Sequence, residues 1–309
     1  TSPMSVKNLT VDKDNAKRRL DNLLMSTYKE LPRSKVYSMI RKGEVRVNSG
    51  RTKPLYKVKE GDIIRIPPYL NNESQAKRPI SNKLQDRFKQ RVLFEDLNYI
   101  VLNKPSGTPV HSGSGNAIGA IDILRSFYTE TIDLCHRLDK ETSGCLVFAK
   151  NKTALRFFNK NLALRDKDLK KTYLAILKGS FKKDLFIDNN INTTKSSIDH
   201  KVNINDEEGK YASSLFRPIQ KLNKSTLVEI DIYSGRTHQI RVQAESLSHN
   251  VANDIKYGDP DFNKFIASSG IKSMALHAKL IEFKDEESNL IKVEAPLEDS
   301  FADLIDYLN

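Results

Sequence analysis

The first third of the chain carries two short runs of apolar residues at helical spacing, followed by two runs that alternate. Leucines recur at helical spacing from Leu20, and Pro32 ends that run. A second helix is predicted from Ser34, a good N-cap, to Gly43, a residue suited to the position after a helix end. The segments EVRVN and GDIIRI alternate apolar and polar residues, as half-buried strands do. The pattern predicts a small α-α-β module with its core at about residues 16–67.

Apolar periodicity is lost in the segment YLNNESQAKRPISNKLQDRFKQR, residues 69–91. Asn, Ser, Lys and Arg dominate there, as in a linker. Its basic side chains, which can also contact an RNA backbone, include Lys77, Arg78, Lys83 and Arg87. We therefore predict three regions: the first module at 1–68, this linker, and a larger domain at 92–309.

Beyond the linker, short β-rich runs alternate with a few amphipathic helices. Strands are predicted in VLFEDLNYIVLN, SGCLVFAKN, KTYLAILKG, STLVEIDIYSG and NLIKVEA. Helices are predicted in AIGAIDILRSFYTE, KTALRFFNKNLA, THQIRVQAESLS and SFADLIDYLN. Strands outnumber helices without strict βαβ alternation. We therefore expect an α+β fold with a mixed, mainly antiparallel sheet flanked by helices and loops.

Charge narrows the class of partner. The 309-residue chain has 51 Lys and Arg against 39 Asp and Glu, a formal net charge of +12. Such an excess favours a polyanion, nucleic acid above all. The first module is especially basic, and the residues expected to form its RNA-binding face are Arg33, Lys35, Arg41, Lys42 and Arg46. A solvated basic face without a partner is the alternative.

Other features exclude several classes of protein. Two cysteines, Cys135 and Cys145, cannot form a four-thiolate metal site, and a chain of this size needs no disulfide. No apolar run approaches the roughly 18 residues of a membrane span, and the first residues lack the apolar core of a signal peptide. There is no Gly-rich phosphate loop, zinc-ligand spacing or nucleophile elbow. We expect a cytoplasmic protein with no metal, no small-molecule cofactor and no membrane contact.

The first module resembles a known RNA-binding domain. Its segments RSKVYSMIRKGEVRVN and KPLYKVKEGDIIRI are similar to the S4 domain over roughly Ala16–Pro67. This resemblance implies a helix pair and a hairpin that hold structured RNA.

The larger domain contains a cluster of ionisable residues directly before the apolar run CLVFA. A solvated turn is the simplest interpretation of such a cluster. However, the segment HRLDKETSG resembles the signature of the RluA family of pseudouridine synthases. Three further segments, NKPSGTPVH, KKTYLAILKG and SGRTHQIRV, resemble that family in the same order, and LHA at 276–278 is a minor further match. The resemblance covers essentially the whole chain and implies isomerisation of uridine in RNA without a cofactor.

The resemblance also implies roles for individual residues. Asp139 matches the catalytic aspartate, an ionised carboxylate that acts as a nucleophile or as a base. Arg241 matches the arginine that pairs with this carboxylate and keeps it charged. Tyr173 matches the tyrosine whose ring stacks on the flipped base. Arg137 matches the residue that enters the RNA stack when the uridine leaves it.

Further residues are expected to contact the substrate or support the site. Lys104 is a candidate support for a phosphate or for the site itself, and His136 is expected to position rather than to react. Thr237 is predicted to cap the helix that carries Arg241. The segment around this cap supplies the candidate RNA contacts Arg236, Thr237, His238 and Gln239.

Two positions depart from the family pattern. Gln243 stands where a histidine is usual, and Asn253 stands where a glycine usually precedes Asp254. None of these matches a main catalytic position. We therefore expect the departures to alter the RNA-binding edge rather than the activity.

The leading hypothesis is an enzyme that acts on large-subunit ribosomal RNA, because the S4-like module resembles the branch of the family with that substrate. A non-catalytic RNA-binding or ribosome-assembly protein is the alternative, and it would keep its function without Asp139. A tRNA-synthetase fragment is disfavoured because no adenylate-binding signature is present, and a metal-dependent nuclease because carboxylates do not cluster. No coiled coil or exposed apolar stripe is predicted, so we expect a monomer.

Overall fold

The computed structural model describes residues 6–28, 31–71, 79–112, 117–163, 169–195, 200–204, 210–236 and 238–309. The chain divides into two compact units, Thr1–Ser81 and Asn82–Asn309. Three of the predicted RNA-contacting residues, Lys77, Arg78 and Thr237, lie outside the described residues.

The first unit is the predicted α-α-β module with one additional strand. Its elements are β1 (Lys7–Thr10), α1 (Leu20–Thr27), α2 (Arg33–Arg41), β2 (Arg46–Val47), β3 (Ile63–Ile66) and α3 (Pro68–Asn71). In the described part of this unit the strands form an antiparallel sheet in the order β1, β3, β2. Leu24 of α1, Met39 of α2 and Ile64 of β3 belong to one buried cluster. The apolar spacing of the sequence predicted these contacts.

Helix α2 begins two residues earlier than predicted. Its N-cap is Pro32, not Ser34, and no side chain caps the helix. Proline fixes φ near the value required at this point, and Pro32 (φ −66°, ψ 150°) supplies the extended backbone before Arg33. Gly43 follows the C-cap with a φ of +72°, as predicted for the residue after the helix end.

The second unit carries the remaining elements. Helices α4 to α9 are Asn82–Gln90, Ala120–Arg125, Lys152–Ala163, Gln239–Ser246, Pro260–Ala267 and Asp299–Leu308. Strands β4 to β14 are Val92–Glu95, Tyr99–Lys104, Asp133–Leu134, Ser143–Ala149, Lys170–Lys178, Leu185–Lys195, His200–Ile204, Lys210–Leu222, Ser225–Ile232, Leu276–Lys284 and Leu290–Glu294. The strands join one sheet in the order β10, β9, β11, β12, β8, β13, β7, β5, β4, with β14 paired to β13 and β6 to β7.

The sheet is mixed and mainly antiparallel, as the sequence predicted. Across the described strands, β13 and β7 pair in parallel and the other ladders are antiparallel. Every residue of β7 is buried, which explains its unbroken apolar run. Helix α6 packs through Phe158 on one apolar cluster, and α8 and α9 pack through Phe262 and Phe301 on another. The central strands are therefore covered by helices.

Several elements were missed by the sequence analysis. Strands β9, β10 and β11 are rich in Asn, Thr, Ser and Lys, so their pattern did not stand out from a loop. Helix α8 carried a clear signal that was not used. Pro260 opens it, and the side chain of Asp259 accepts hydrogen bonds from the backbone N–H groups of Asp261 and Phe262.

The last part of the predicted linker is helical and belongs to the second unit. Helix α4 covers Asn82–Gln90. Phe88 is buried and Leu84, four residues earlier, is half-buried. The side-chain amide of Gln85 donates to Ser126 Oγ at 3.0 Å. Two apolar residues one turn apart are enough to hold this charged helix on the domain.

None of the helices in the described ranges is long and apolar enough to cross a membrane.

Strands β7 and β13 approach each other too closely at Gly144 to accept a side chain. A Cβ atom on Gly144 would lie 2.2 Å from the carbonyl oxygen of Ala278, and the φ of Gly144 is +111°. Residues with a Cβ rarely adopt this φ. Gly144 therefore permits the parallel pairing that places β7 beside β13.

We expect Gly144→Ala to lower the free energy of unfolding by at least about 3 kcal/mol, because the parallel pairing must open to admit the methyl group. Gly270→Ala is the matched control. Gly270 also has a positive φ, +77°, but nothing lies within 4 Å of its Cβ position. Gly270→Ala should lower the free energy of unfolding by about 1–2 kcal/mol, the cost of a left-handed backbone alone. Urea denaturation of both variants measures the difference, and equal losses would contradict a steric origin.

Candidate active site

The loop between β6 and β7 carries His136, Arg137 and Asp139. Strand β7 anchors the end of this loop because all its residues are buried. Within the loop, the backbone N–H of Thr142 donates to the carbonyl oxygen of Asp139 at 3.0 Å. The position of Asp139 is therefore fixed by a closed turn on a buried strand.

The turn after β5 holds this loop through backbone contacts. The N–H of Gly107 donates to the carbonyl oxygen of Lys140 at 2.9 Å. The hydroxyl of Ser106 donates to the carbonyl oxygen of Glu141 at 2.8 Å. The segments NKPSG and HRLDKETSG, 36 residues apart at Lys104 and Lys140, therefore form one support.

Lys104 completes that support from inside the protein. Its side chain is fully buried. Its ammonium group donates to the carbonyl oxygens of Pro105, Thr108 and Lys140 at 2.9, 2.7 and 2.9 Å. Burial lowers the pKa of Lys104 to about 7, while the charges of Glu141 and Asp139 act in the opposite direction. The predicted contact with an RNA phosphate is wrong, because no part of Lys104 reaches the surface; the alternative role, support for the site, matches the structure.

Helix α7 brings Arg241 to Asp139. The Nη1 atom of Arg241 donates to Asp139 Oδ2 at 3.1 Å. Arg241 is buried, with 9% of its surface exposed, whereas the Asp139 side chain is 28% exposed. The predicted arginine–aspartate pair is therefore present, with the arginine inside and the carboxylate at the surface of a cleft.

The same guanidinium binds a second carboxylate. Arg241 Nε and Nη2 donate to Asp254 Oδ2 and Oδ1, both at 2.8 Å. Asp254 is 1% exposed, and the ring of Tyr257 lies 5.0 Å from the guanidinium carbon. Burial tends to lower the pKa of Arg241, but the hydrogen bonds and charge of Asp254, followed by those of Asp139, raise that pKa above its ordinary value. The bidentate pair fixes the plane of the guanidinium and directs Nη1 at Asp139.

Asn253 shapes the backbone that presents Asp254. Its φ is +63°, in the left-handed region that asparagine tolerates better than most residues. Its side-chain amide donates to the carbonyl oxygens of Ile271 and Ser273, both at 3.0 Å. The expected effect of this departure on an RNA-binding edge stays a prediction. Asn253 keeps a glycine-like backbone and ties down the segment that holds Arg241.

Gln243 is also an internal residue. It is fully buried, and its Oε1 atom accepts a hydrogen bond from Ser214 Oγ at 2.6 Å. Its Nε2 atom donates to the carbonyl oxygen of Ala212 at 3.3 Å. Gln243 therefore fastens α7 to β11 and forms no part of a binding edge, contrary to our expectation.

Tyr173 and Asp139 line one cleft of about 640 Å³. Tyr173 lies on β8, paired with Ile230 of β12 and Ala278 of β13. Burial, and secondly the charge of Asp139, raise the pKa of the Tyr173 hydroxyl above its ordinary value. The hydroxyl therefore stays protonated at neutral pH and can donate a hydrogen bond into the cleft.

His238 lies between Tyr257 and Asp139. It occupies the N-cap position of α7 with a φ of +55°, so the cap is His238 and not Thr237. Its Nδ1 atom is 2.7 Å from the Tyr257 hydroxyl, and its Nε2 atom is 3.7 Å from Asp139 Oδ1. Burial lowers the pKa of His238, while the charge of Asp139 acts in the opposite direction. His238 therefore faces the Asp139 carboxylate rather than the outer surface.

Gln239 is engaged within the protein. Its Oε1 atom accepts from Ser234 Oγ at 2.9 Å and from the backbone N–H of Arg236 at 3.2 Å. Its Nε2 atom donates to the carbonyl oxygen of Ser213 at 2.9 Å and to Ser214 Oγ at 2.8 Å. The predicted RNA contact of Gln239 is therefore wrong, because all its polar side-chain atoms already have partners.

In the HRLD segment, the His136 side chain bonds to the protein interior and the Arg137 side chain is exposed. His136 Nε2 accepts a hydrogen bond from the backbone N–H of Val147 at 3.0 Å, and burial lowers the pKa of His136 to about 3. His136 is therefore uncharged at neutral pH and hydrogen-bonded to β7, and its positioning role stays a prediction. Arg137 is exposed and lines the cleft. The half-buried Arg236 lines the same cleft.

Three residues of the site were missed by the sequence analysis: Asp254, Tyr257 and Lys171. Asp254 was noticed only beside a departure from the family pattern. Tyr257 had no local signal, because its contacts are with Arg241 and His238 in a distant segment. Lys171 lies in the quoted segment KKTYLAILKG but was not singled out there. Both cysteines are free and buried. In the part of the chain that the structure describes, no group of three or more His, Cys, Asp and Glu side chains is placed to hold a metal ion.

Asp254 and Asp139 should differ sharply in their contribution to stability. We expect Asp254→Asn to lower the free energy of unfolding by about 3–5 kcal/mol, because it removes the charge that compensates a buried arginine. Asp139→Asn should change it by no more than about 1 kcal/mol, because that side chain is partly solvated and Arg241 keeps Asp254. Denaturant titration of the two variants tests this. Equal stability losses would show that Asp139, too, is part of the internal support.

Known proteins share this fold and these sequence segments. The model of the RNA pseudouridylate synthase family matches residues 98–246, and that of the S4 domain matches residues 18–64. The ribosomal large subunit pseudouridine synthase C of Haemophilus influenzae is 41% identical over 285 residues, which cover 91% of this chain and 88% of that protein. The protein of the same name from Pasteurella multocida is 38% identical over 301 residues, which cover 95% of this chain and 91% of that protein.

Solved structures agree on the fold. Human RNA pseudouridylate synthase domain containing 4 superposes with a TM-score of 0.59 at 23% identity, covering 74% of this chain and 96% of that chain. Human RNA pseudouridylate synthase domain containing 1 superposes with a TM-score of 0.57 at 23% identity. The match covers 67% of this chain and 82% of that chain. With the sequence identities above, the chain belongs to the RNA pseudouridylate synthase family and is an isomerase that carries an S4 domain.

Proposed function

We propose that this enzyme isomerises specific uridines of large-subunit ribosomal RNA, and that Asp139 is its catalytic carboxylate. One observation carries the assignment of Asp139: it lines the same cleft as Tyr173 and accepts a hydrogen bond from the buried Arg241. The substrate assignment is supported by relatives named ribosomal large subunit pseudouridine synthase C, at 38% and 41% identity. The family of the chain favours this function over the non-catalytic alternative.

The reaction requires a reactive carboxylate with a fixed direction. The bond between C1′ of the ribose and N1 of uracil breaks, the base turns, and C1′ bonds to C5; C5 loses a proton and N1 gains one. Asp139 supplies the nucleophile, or the base that removes a sugar proton. Its Oδ2 atom accepts a hydrogen bond from Arg241, so we assign the reaction to Oδ1. Arg241 hydrogen-bonds the carboxylate and fixes its orientation.

The uridine must leave the RNA stack to reach this oxygen. Flipping a base costs a few kcal/mol, which stacking on an aromatic ring partly offsets. Tyr173 provides the ring beside Asp139, and the exposed Arg137 is placed to fill the gap left in the RNA. Arg236 and His238 line the same cleft and are the further proposed contacts of the nucleotide.

The S4 domain offers basic side chains to structured RNA. Among the proposed contacts, the exposed residues are Arg33, Lys35, Arg41 and Lys42. Arg46 is half-buried, and its Nε atom donates to the carbonyl oxygen of Gly43 at 3.0 Å, so it also closes the turn after α2. We assign phosphate contacts to this set, which makes binding salt-dependent. All proposed catalytic side chains come from one chain, so we propose a monomer that acts in the cytoplasm, where ribosomes are.

Pseudouridine mapping of ribosomal RNA tests the proposal directly. Cells that lack this protein should lose pseudouridine at specific large-subunit positions. Wild-type protein should restore these positions and Asp139→Asn should not, because an amide neither attacks nor removes a proton. The denaturant titration of Asp139→Asn, expected to show near-wild-type stability, is the control for unfolding. An unchanged map, or restoration by Asp139→Asn, would contradict the proposal and favour a binding function or another RNA.

Two substitutions at Tyr173 separate the ring from the hydroxyl. We expect Tyr173→Phe to keep RNA affinity within about twofold, because the ring still stacks, while the rate of isomerisation falls. Tyr173→Leu should weaken binding by about 5- to 150-fold, the equivalent of 1–3 kcal/mol per stacked base. Filter binding and single-turnover assays measure the two effects. Equal affinity of the Phe and Leu variants would show that the base does not stack on this residue.

A further inference from the structure

Lys171 lies beside Tyr173 on the wall of the same cleft. Both belong to β8, two residues apart, so their side chains project from the same face of the strand, about 6.6 Å apart along it. Lys171 lines the cleft, yet only 8% of its surface is exposed. Its cross-strand neighbours are Ile232 of β12 and Ile281 of β13, neither of which carries charge.

This lysine is buried without compensation. Among the residues that the structure describes, none forms a hydrogen bond or ion pair with Lys171. Lysine is almost never buried unless paired, because an ammonium group loses its hydration there. Burial lowers the pKa of Lys171 to about 8, and no neighbouring charge offsets this. Lys104, by contrast, has three carbonyl acceptors.

The surroundings of the ammonium group leave it open to the cleft. A Cβ atom at Gly235 would lie 3.3 Å from Lys171 Nζ, so the glycine leaves space directly over it. The other titratable groups that line the cleft are His111, His136, Asp139, Lys140, Glu141, Tyr173 and His238, together with Arg137, Arg236 and Arg241. Of these, His136 is close enough for the charge of Lys171 to contribute to the lowering of its pKa.

We propose that Lys171 binds a negatively charged oxygen of the uridine nucleotide that enters this cleft. The inference rests on the proposed reaction, because it needs a nucleotide beside Tyr173. An ammonium group that is poorly hydrated attracts an anion more strongly than one in water. Two oxygens have the required chemistry: a phosphate oxygen of the nucleotide, and a carbonyl oxygen of uracil that gains charge as the bond to ribose breaks. The phosphate oxygen is charged before the reaction, whereas the uracil oxygen gains its charge only as the reaction proceeds.

A binding role explains why an unfavourable residue is kept. Functional sites retain groups that lower stability when the reaction needs them. Lys171→Met removes a buried charge and keeps much of the volume. We therefore expect a melting temperature a few degrees above that of the wild-type enzyme. A supporting residue such as Lys104 would give the opposite result.

Activity is measured on transcribed large-subunit ribosomal RNA with the full-length enzyme. We expect Lys171→Met to lower kcat/KM by at least about thirtyfold, a loss of about 2 kcal/mol of transition-state binding. Lys170→Met is the matched control: Lys170 is the neighbouring residue on β8, is exposed, and projects from the other face, so its kcat/KM should stay within about twofold. A higher RNA dissociation constant with an unchanged single-turnover rate identifies the phosphate. A slower single turnover with unchanged binding identifies the uracil oxygen.

The pH profile gives a second readout. Lys171 is charged below pH 8 and loses its proton as the pH rises through about 8. The kcat/KM of the wild-type enzyme should therefore fall through that range. Lys171→Arg, which stays charged, should lack this limb. A fall in kcat/KM that is caused by titration of Lys104 or of the RNA occurs in all variants. The test is therefore the difference between the pH profiles of the wild-type enzyme and Lys171→Arg.

Two results would overturn the proposal. One is a Lys171→Met enzyme with wild-type kcat/KM and an unchanged pH profile. The other is loss of activity together with a lowered melting temperature and no rescue by Lys171→Arg, which would make Lys171 a support of the fold. A wild-type enzyme that forms no pseudouridine in this RNA would instead contradict the proposed function, so the two failures are distinguishable.

Discussion

The pairing of one buried arginine with two carboxylates is the constraint on which the catalytic domain depends. Arg241 can be buried only because Asp254 compensates its charge in a bidentate pair. That pair uses Nε and Nη2, and it leaves Nη1 for Asp139. The direction of the Asp139 carboxylate is thus set, through Arg241, by Asp254, which does not line the cleft. Asn253, through its left-handed backbone, and Gln243, through its bond to Ser214, in turn hold this pair in place.

The residues that support the loops of the site differ from the residues that are open to the cleft. The polar side-chain atoms of Lys104 and Gln239 are hydrogen-bonded within the protein, and Nε2 of His136 accepts a hydrogen bond from Val147. Asp139 and Arg137 remain open to the cleft. This division explains why several residues in the motif segments are not RNA contacts. A short motif combines residues that act on the substrate with residues that hold its backbone.

The sequence predicts those parts of the structure that depend on local pattern. The apolar run of β7 and the periodic apolar residues of α6 gave elements close to those observed. The polar strands β9 and β11 could not be predicted in this way, because pairing with neighbouring strands stabilises them rather than their own composition. Asp139, Tyr173 and Arg241 were identified through resemblance, not through pattern. Asp254 was not assigned a role, since its value lies in a contact with a residue 13 positions away.

Lys104 and Lys171 show why burial alone does not decide the role of a charged residue. Both are lysines of β strands, both are buried, and burial lowers the pKa of both. Their surroundings differ in one respect: Lys104 meets three carbonyl oxygens, whereas Lys171 faces apolar neighbours and the cleft. The hydrogen-bonded ammonium group of Lys104 helps to hold the loop that carries Asp139. One without a partner among the described residues keeps its capacity to bind an anion, so the chemistry of the cleft depends on which polar groups the fold leaves unpaired.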